Sequence, residues 1–183
     1  MNAQAKAVLE GVENFRRKYP ELTQPASLTG VSIRSLLAAL EQFMESVRYL
    51  NTRRSDTTLT LDSEAAVQDA LYLMLRPWVC DLVPESPTER IANRYVIKDF
   101  ASRSLRTVIE AKYIRDKDHG KSITKELNDD IETYRYHSYC DHLVFFIYDP
   151  DGNIPDGSAL RSHICEARSY SGKILTCYCI IKP

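Results

Sequence analysis

The sequence predicts a mixed α/β fold, in which a central mixed sheet is flanked by helices in the order αβββαββ and preceded by a helical N-terminal extension. Two observations predict this class. Apolar residues recur at intervals of three and four in the first part of the chain, as on amphipathic helices, whereas after Pro77 they follow the period of extended strands. The run Leu143 to Tyr148 (LVFFIY) is apolar without alternation, which is typical of a strand covered by helices on both faces of its sheet.

The N-terminal extension is predicted to span residues 1–60. Apolar residues between Val31 and Leu50 predict one strongly amphipathic helix, and Asn2 to Tyr19 is interpreted as another. The polar stretch Asn51 to Thr58 is interpreted as a linker, so the main domain is expected to span residues 61–183.

The main domain is predicted to begin with a helix from about Ser63 to Arg76, which Pro77 ends. The predicted strands are Val79 to Val83, Arg94 to Phe100, Leu105 to Ile114, Leu143 to Tyr148 and Gly172 to Ile181. Between the third and fourth of these strands, one apolar stripe predicts a further helix. Its members are Ile123, Leu127, Ile131 and Tyr134.

The composition is that of a soluble globular protein, and its net charge of −1 argues against binding nucleic acid by bulk charge alone. Residues 88–125 nevertheless carry ten Lys and Arg with five acids, next to an acidic segment at 126–151; solvated helix and hairpin faces are the simpler explanation. No apolar run approaches the roughly 20 residues that cross a bilayer, and the five cysteines are an odd number. We therefore expect a cytoplasmic, reducing location and no membrane partner.

The pattern that carries chemistry lies in the predicted third strand (VIEAKY). Alternation along a strand puts Glu110 and Lys112 on one face. If residues 104–105 form a two-residue hairpin loop, the antiparallel register sets Asp99 directly opposite Glu110, with Cβ atoms roughly 5 Å apart.

Two carboxylates opposed in a ladder repel each other, so such a pair normally needs a shared proton or a cation. Mg²⁺ prefers one or two carboxylates and leaves positions for water and phosphate oxygens, and Mn²⁺ is expected to substitute for it. Lys112 would then orient the attacking water and offset charge on the phosphate. This arrangement is typical of a phosphodiester hydrolase, although a short E-x-K pattern also arises by chance, with Lys112 simply paired to an acid.

Glu64 is a candidate third acid. On the predicted helix it shares a face with the apolar stripe that is expected to pack on the sheet, where a carboxylate needs a partner. The alternative is that Glu64 only stabilises the first turn of its helix through the helix dipole.

These residues and their surroundings resemble the PD-(D/E)XK nuclease superfamily, and more narrowly the restriction-endonuclease-like subgroup that includes enzymes cutting at GATC. The resemblance spans about Leu61 to Pro183. It rests on the inward Glu64, KDF around Asp99, VIEAKYIR, ELNDDIETYRYH on the next helix and FFIYDPDGNI after the buried strand. Lys98 stands where the proline of the motif would precede Asp99.

The resemblance implies a restriction-endonuclease-like core and hydrolysis of DNA strands with Mg²⁺. It implies that Asp99, Glu110 and the backbone carbonyl of Ala111 are metal ligands. Lys112 would be the water-activating base, and Glu64 an accessory acid at the metal. The candidate DNA contacts among the surrounding basic residues are Arg94, Lys98, Arg115, Lys117 and Lys121, and the segment Lys117 to Lys121 (KDHGK) is predicted to be a loop that follows a phosphate backbone.

The leading hypothesis is therefore a Mg²⁺-dependent DNA endonuclease of restriction or anti-phage defence. It would act as a homodimer if both strands are cut, or as a component of a defence complex. One alternative is a non-catalytic nucleic-acid-binding or assembly module on the same scaffold. Another is a nuclease acting on RNA or branched DNA, which would share the site and differ in what the basic surface admits.

Overall fold

The computed structural model describes residues 31–52, 58–87, 97–170 and 172–183. Its helices are α1 (Ile33–Glu41), α2 (Phe43–Thr52), α3 (Glu64–Leu75), α4 (Lys117–Tyr134) and α5 (Gly157–Ile164). Its strands are β1 (Val83–Pro87), β2 (Ile97–Ser102), β3 (Thr107–Tyr113), β4 (His142–Tyr148), β5 (Ala167–Tyr170) and β6 (Lys173–Lys182). None of these helices has the length and apolar character that crossing a membrane requires. The helix predicted at Asn2 to Tyr19 lies outside the described residues.

A six-stranded mixed sheet in the order β1-β2-β3-β4-β6-β5 forms the centre of the described part of the chain. β1, β2 and β3 are antiparallel neighbours, β4 runs parallel to both β3 and β6, and β5 pairs antiparallel with β6. The central position of β4 leaves Leu143 to Ile147 fully buried, as the unbroken apolar run predicts. A mixed sheet flanked by helices confirms the predicted fold class.

Alternation along β3 divides its side chains between two buried cores. Ile109 and Ala111 belong to the core formed with α1, α2 and α3, whereas Val108 belongs to the core formed with α4 and α5. Glu110 and Lys112 share the face of Val108, so they point toward α4.

The first two helices pack on the sheet. Leu36 and Leu40 of α1 and Phe43 of α2 are buried, and the ring of Phe43 meets that of Phe146 edge to face at 4.8 Å between centroids. Residues 31–183 form one compact unit. The domain boundary at residue 60 stays a prediction, but α1 and α2 share the hydrophobic core of the sheet.

The single helix predicted from Val31 to Leu50 is in fact two helices. The backbone of Gln42 leaves the helical conformation, with ψ near 3°, and this separates α1 from α2. The N–H of Gln42 still bonds to the carbonyls of Ala38 and Ala39, at 3.3 and 3.0 Å. The apolar periodicity therefore continues across the break, and the sequence pattern does not reveal it.

The prediction of a strand at Val79 to Val83 is wrong. Val79 and Leu82 lie in turns that follow α3, where the N–H of Val79 bonds to the carbonyl of Leu75 and the N–H of Leu82 to that of Val79, both at 2.9 Å. Both side chains are buried, so their apolar character reflects core packing rather than extended structure. Strand β1 begins only at Val83.

The loop predicted at Lys117 to Lys121 is instead the first turn of α4. Asp116 caps this helix, because its side chain accepts the N–H of His119 at 2.8 Å. Gly120 lets the helix approach the segment after β4 closely, since a Cβ at this position would lie 2.3 Å from the carbonyl oxygen of Asn153. A cap and a buried glycine, rather than a flexible loop, explain the KDHGK segment.

The chain between β4 and β6 contains two elements that the sequence did not predict, α5 and β5. The predicted order αβββαββ is therefore extended by one helix and one strand. Helix α5 buries Leu160 and Ile164 in the same core as α4, and β5 forms the outer edge of the sheet beside β6.

Candidate active site

The hairpin between β2 and β3 sets the register of the candidate site. Its turn spans residues 103–106, two more than the predicted loop, and the N–H of Arg106 bonds to the carbonyl of Arg103 at 3.1 Å. The ladder pairs Ser102 with Thr107 and Phe100 with Ile109, which is the register that the sequence predicts. Continued by one residue, this register sets Asp99 opposite Glu110.

Asp99 lies where the ladder between β2 and β3 ends. Its Oδ2 accepts the backbone N–H of Ala111 at 2.7 Å, and the side chain of Gln68 on α3 lies near enough to help lower the pKa of this carboxyl. Burial raises the pKa of the Asp99 carboxyl above its ordinary value, and the negative charge of Glu64 adds to this rise. The hydrogen bonds and the charge of Lys112 act in the opposite direction.

Glu110 is the most deeply buried of the candidate acids, at 5% exposure. Its Oε1 accepts a hydrogen bond from the hydroxyl of Tyr134. Burial, and then the charge of Asp99, raise the pKa of Glu110 from 4.5 to about 8. A raised pKa of this size favours a proton on Glu110 at neutral pH, as expected for a buried carboxyl beside a second carboxylate.

Lys112 forms an ion pair with Asp130 of α4, with Nζ and Oδ2 3.1 Å apart. Burial alone would lower the pKa of Lys112, but the charges of Asp130, Glu110 and Glu64 together outweigh it and raise that pKa. The raised pKa favours the ammonium form of Lys112, whereas burial also raises the pKa of the Asp130 carboxyl despite the opposing charge of Lys112.

Glu64 is the first residue of α3 and is exposed, so the prediction that it lies inward on the packed face of its helix is wrong. The preceding Ser63 caps the helix by accepting the N–H of Ala66 at 3.2 Å. Glu64 lines a cleft of ≈ 430 Å³, whose other lining residues are Asp62, Ser63, Tyr113, Arg115, His119 and Glu126. Its charge acts on both Asp99 and Lys112, so the N-terminus of α3 lies beside the candidate site.

The candidate DNA contacts are not all at the same place. Arg115 is exposed and lines the cleft beside Glu64. Lys117 and Lys121 are exposed on the first turn of α4, but Lys121 pairs with Asp118 at 3.1 Å and borders a different cleft, between α4 and α5. The backbone of Lys98 lies on β2, and Arg94 lies outside the described residues.

Asp99 and Glu110 bring two carboxylates together, and carboxylate oxygens are donors that Mg²⁺ accepts. Among the described residues, no three Asp, Glu, His or Cys side chains are arranged to hold a metal ion. Mg²⁺ does not need such a cluster, because it commonly binds one or two carboxylates and fills its other positions with water and substrate oxygens. The roles of Asp99, Glu110, the Ala111 carbonyl and Glu64 at a metal all stay predictions.

Three polar residues at the site were not predicted to act there. Asp130 and Tyr134 lie on α4, and Gln68 lies on α3. Tyr134 was interpreted as part of the apolar stripe of its helix, which is correct for its ring but does not reveal the contact of its hydroxyl. A polar residue within an otherwise inward-facing stripe, as at Gln68, is the signal that identifies such positions.

A mixed sheet flanked by helices, with Asp99, Glu110 and Lys112 on its β2–β3 hairpin, is consistent with the restriction-endonuclease-like fold class. The model of the DpnII-MboI restriction endonuclease family (REase_DpnII-MboI) matches residues 32–177. The chain belongs to this family. The match begins at α1, so it includes the two helices that lie outside the sequence resemblance. No curated protein and no solved structure matches the chain.

Proposed function

We propose that this protein is a Mg²⁺-dependent endonuclease that hydrolyses DNA phosphodiester bonds in restriction or anti-phage defence. The observation that supports it most directly is the pair of neighbouring carboxylates, half-buried Asp99 and buried Glu110, with the ammonium of Lys112 on the next position of the same strand face. Family membership supports the DNA endonuclease class.

Asp99 and Glu110 would hold the cation, with the carbonyl of Ala111 as a further ligand and Glu64 as an accessory acid. A divalent cation bound there would polarise the scissile phosphate and supply the positive charge that the paired carboxylates need. The hydrogen bond from the Ala111 N–H keeps the Asp99 carboxylate between the two strands, ready to bind. Mn²⁺ is expected to replace Mg²⁺ because both accept oxygen ligands.

Lys112 would orient the attacking water and stabilise charge that develops on the phosphate. Its ion pair with Asp130 and its raised pKa favour the charged form, so we assign it an orienting and electrostatic role rather than that of a free base. In-line attack would leave 5′-phosphate and 3′-hydroxyl ends.

DNA would reach the site along the cleft that Arg115 and Glu64 border. Arg115 would contact a backbone phosphate, and Lys98, Lys117, Lys121 and Arg94 are proposed as further contacts. Double-strand cleavage would involve a homodimer or a larger defence complex, and a cytoplasmic location accords with this role.

The test is cleavage of plasmid, linear and single-stranded DNA by the purified chain with Mg²⁺ or Mn²⁺. We expect at least one DNA form to be cut, and we expect Lys112→Ala to lose at least 100-fold in rate, in the range of a lost electrostatic catalytic group. Lys125→Ala, which removes an exposed lysine from α4, is the matched control and should cut at the parental rate. Equal rates for Lys112→Ala and the parent would contradict the mechanism.

Calorimetric titration with Mn²⁺ separates this function from a non-catalytic module on the same scaffold. A nuclease with this site should bind Mn²⁺, and Asp99→Asn should weaken that binding. Parallel assays on RNA and branched DNA identify the preferred substrate.

A further inference from the structure

Helix α4 presents two polar side chains, Asp130 and Tyr134, to the catalytic face of β3. Tyr134 is fully buried and donates its hydroxyl hydrogen to Oε1 of Glu110. Oδ2 of Asp130 lies 3.1 Å from Nζ of Lys112. Each polar residue of the E-x-K pattern therefore has one partner on the same helix.

The geometry of the two elements explains why both contacts form together. A separation of four residues is about 6 Å along a helix axis, which is the distance between Asp130 and Tyr134 along α4. A separation of two residues is about 6.6 Å along a strand, which is the distance between Glu110 and Lys112 along β3. The near-equal spacings let a helix running against the strand direction meet both side chains at once.

The two contacts also leave the reactive groups available. The hydroxyl of Tyr134 occupies one oxygen of Glu110 and restricts its rotamer, so the other oxygen remains to bind a cation. The carboxylate of Asp130 holds the ammonium of Lys112 on the same face as Glu110. The side chains of Asp130 and Lys112 are 24% and 15% exposed, so solvent weakens this ion pair little.

We propose that Asp130 and Tyr134 are positioning residues for the E-x-K pair, an inference that rests on the proposed function. Tyr134 prepares Glu110 for metal binding. Asp130 sets the position of Lys112 for the chemical step. Neither residue touches the substrate, and each acts through its partner on β3.

The first test is Mn²⁺ calorimetry on the full chain carrying Tyr134→Phe. The Phe ring preserves the packing and removes only the hydroxyl, so we expect a folded protein whose Kd for Mn²⁺ is 10- to 100-fold weaker, roughly the usual effect of removing an outer-shell partner. Tyr136→Phe, at an exposed tyrosine two residues further on, is the control and should keep the parental Kd.

The second test separates binding from turnover with Asp130→Asn. We expect kcat at saturating Mg²⁺ and DNA to fall at least tenfold, while KM and the Mn²⁺ Kd stay within about twofold of the parent, and Asp130→Glu to recover part of the rate. Asp129→Asn, an exposed neighbour on the same helix, should be unaffected. Added to Lys112→Ala, Asp130→Asn should cause no further loss, because the residue that it positions is gone.

The outcomes are distinguishable. If the parent binds Mn²⁺ and cuts DNA but Tyr134→Phe keeps its Kd and Asp130→Asn keeps its kcat, the positioning inference is overturned and the proposed function stands. If the parent neither binds Mn²⁺ nor cuts any nucleic acid, the proposed function fails and the inference fails with it. A loss in Asp130→Asn that adds fully to that of Lys112→Ala also overturns the inference, because the two residues would then act independently.

Discussion

Replacing Glu110 by Gln should remove a pH-dependent destabilisation of the metal-free protein. The folded protein raises the pKa of Glu110 from 4.5 to about 8, mainly by burial. An acid with a raised pKa in the folded state destabilises the fold when it ionises. The resulting loss in the free energy of unfolding is absent below about pH 4.5 and grows as the pH rises toward 8. At about 1.4 kcal/mol per pKa unit, the full shift corresponds to about 5 kcal/mol, of which about 4 kcal/mol is reached at pH 8.

The assay is urea unfolding in EDTA at pH 5, 6, 7 and 8. We expect the free energy of unfolding of Glu110→Gln, relative to the parent, to increase by about 2 to 4 kcal/mol between pH 5 and pH 8. Glu166→Gln, at an exposed glutamate, is the matched control and should follow the parental curve. A difference between Glu110→Gln and the parent that is constant over this pH range would refute the reasoning, because it would show that Glu110 does not titrate in the folded state.

Three further predictions address the metal, the helix contact and the core. Mg²⁺ should raise the Tm of the parent at pH 8 and leave Glu110→Gln nearly unchanged, and equal shifts in differential scanning fluorimetry would contradict the assignment of this ligand. Gly120→Ala should destabilise the fold by about 1 to 3 kcal/mol, because its Cβ would meet the carbonyl of Asn153 at 2.3 Å; an unchanged Tm would show that α4 can shift. Phe43→Ala should cost about 3 to 5 kcal/mol in chemical unfolding, whereas Tyr49→Ala, at 68% exposure, should stay within about 0.5 kcal/mol. Similar losses for the last two variants would contradict the packing of α2 on the sheet.

The β2–β3 hairpin was predictable because it depends on local rules. Alternation along β3 places Glu110 and Lys112 on one face, and the ladder fixes which residue of β2 they meet. The register predicted from a two-residue loop remains correct although the turn is longer, because each strand contributes one of the two extra residues. Burial of LVFFIY was predictable for a similar reason, since its composition alone requires two covered faces.

The parts that the sequence did not predict depend on contacts between distant segments. The apolar stripe does not distinguish one helix from two at Gln42, since the break keeps the same face buried. Val79 and Leu82 resemble strand residues because a buried turn and a strand select the same apolar side chains. The contact from Tyr134 to Glu110 spans 24 positions and depends on how α4 packs against β3, which periodicity within either element does not encode.

The hydrogen bond from Ala111 to Asp99 means that one carboxylate accepts from the backbone and would also serve the proposed metal site. Truncation to Ala would remove an acceptor that the main chain uses in place of a strand partner. Loss of activity in Asp99→Ala would therefore not show that Asp99 binds the metal. Asp99→Asn retains an oxygen for that N–H and removes only the negative charge. Comparing these two substitutions therefore separates the hydrogen bond that this side chain accepts from the backbone from its proposed role at the metal.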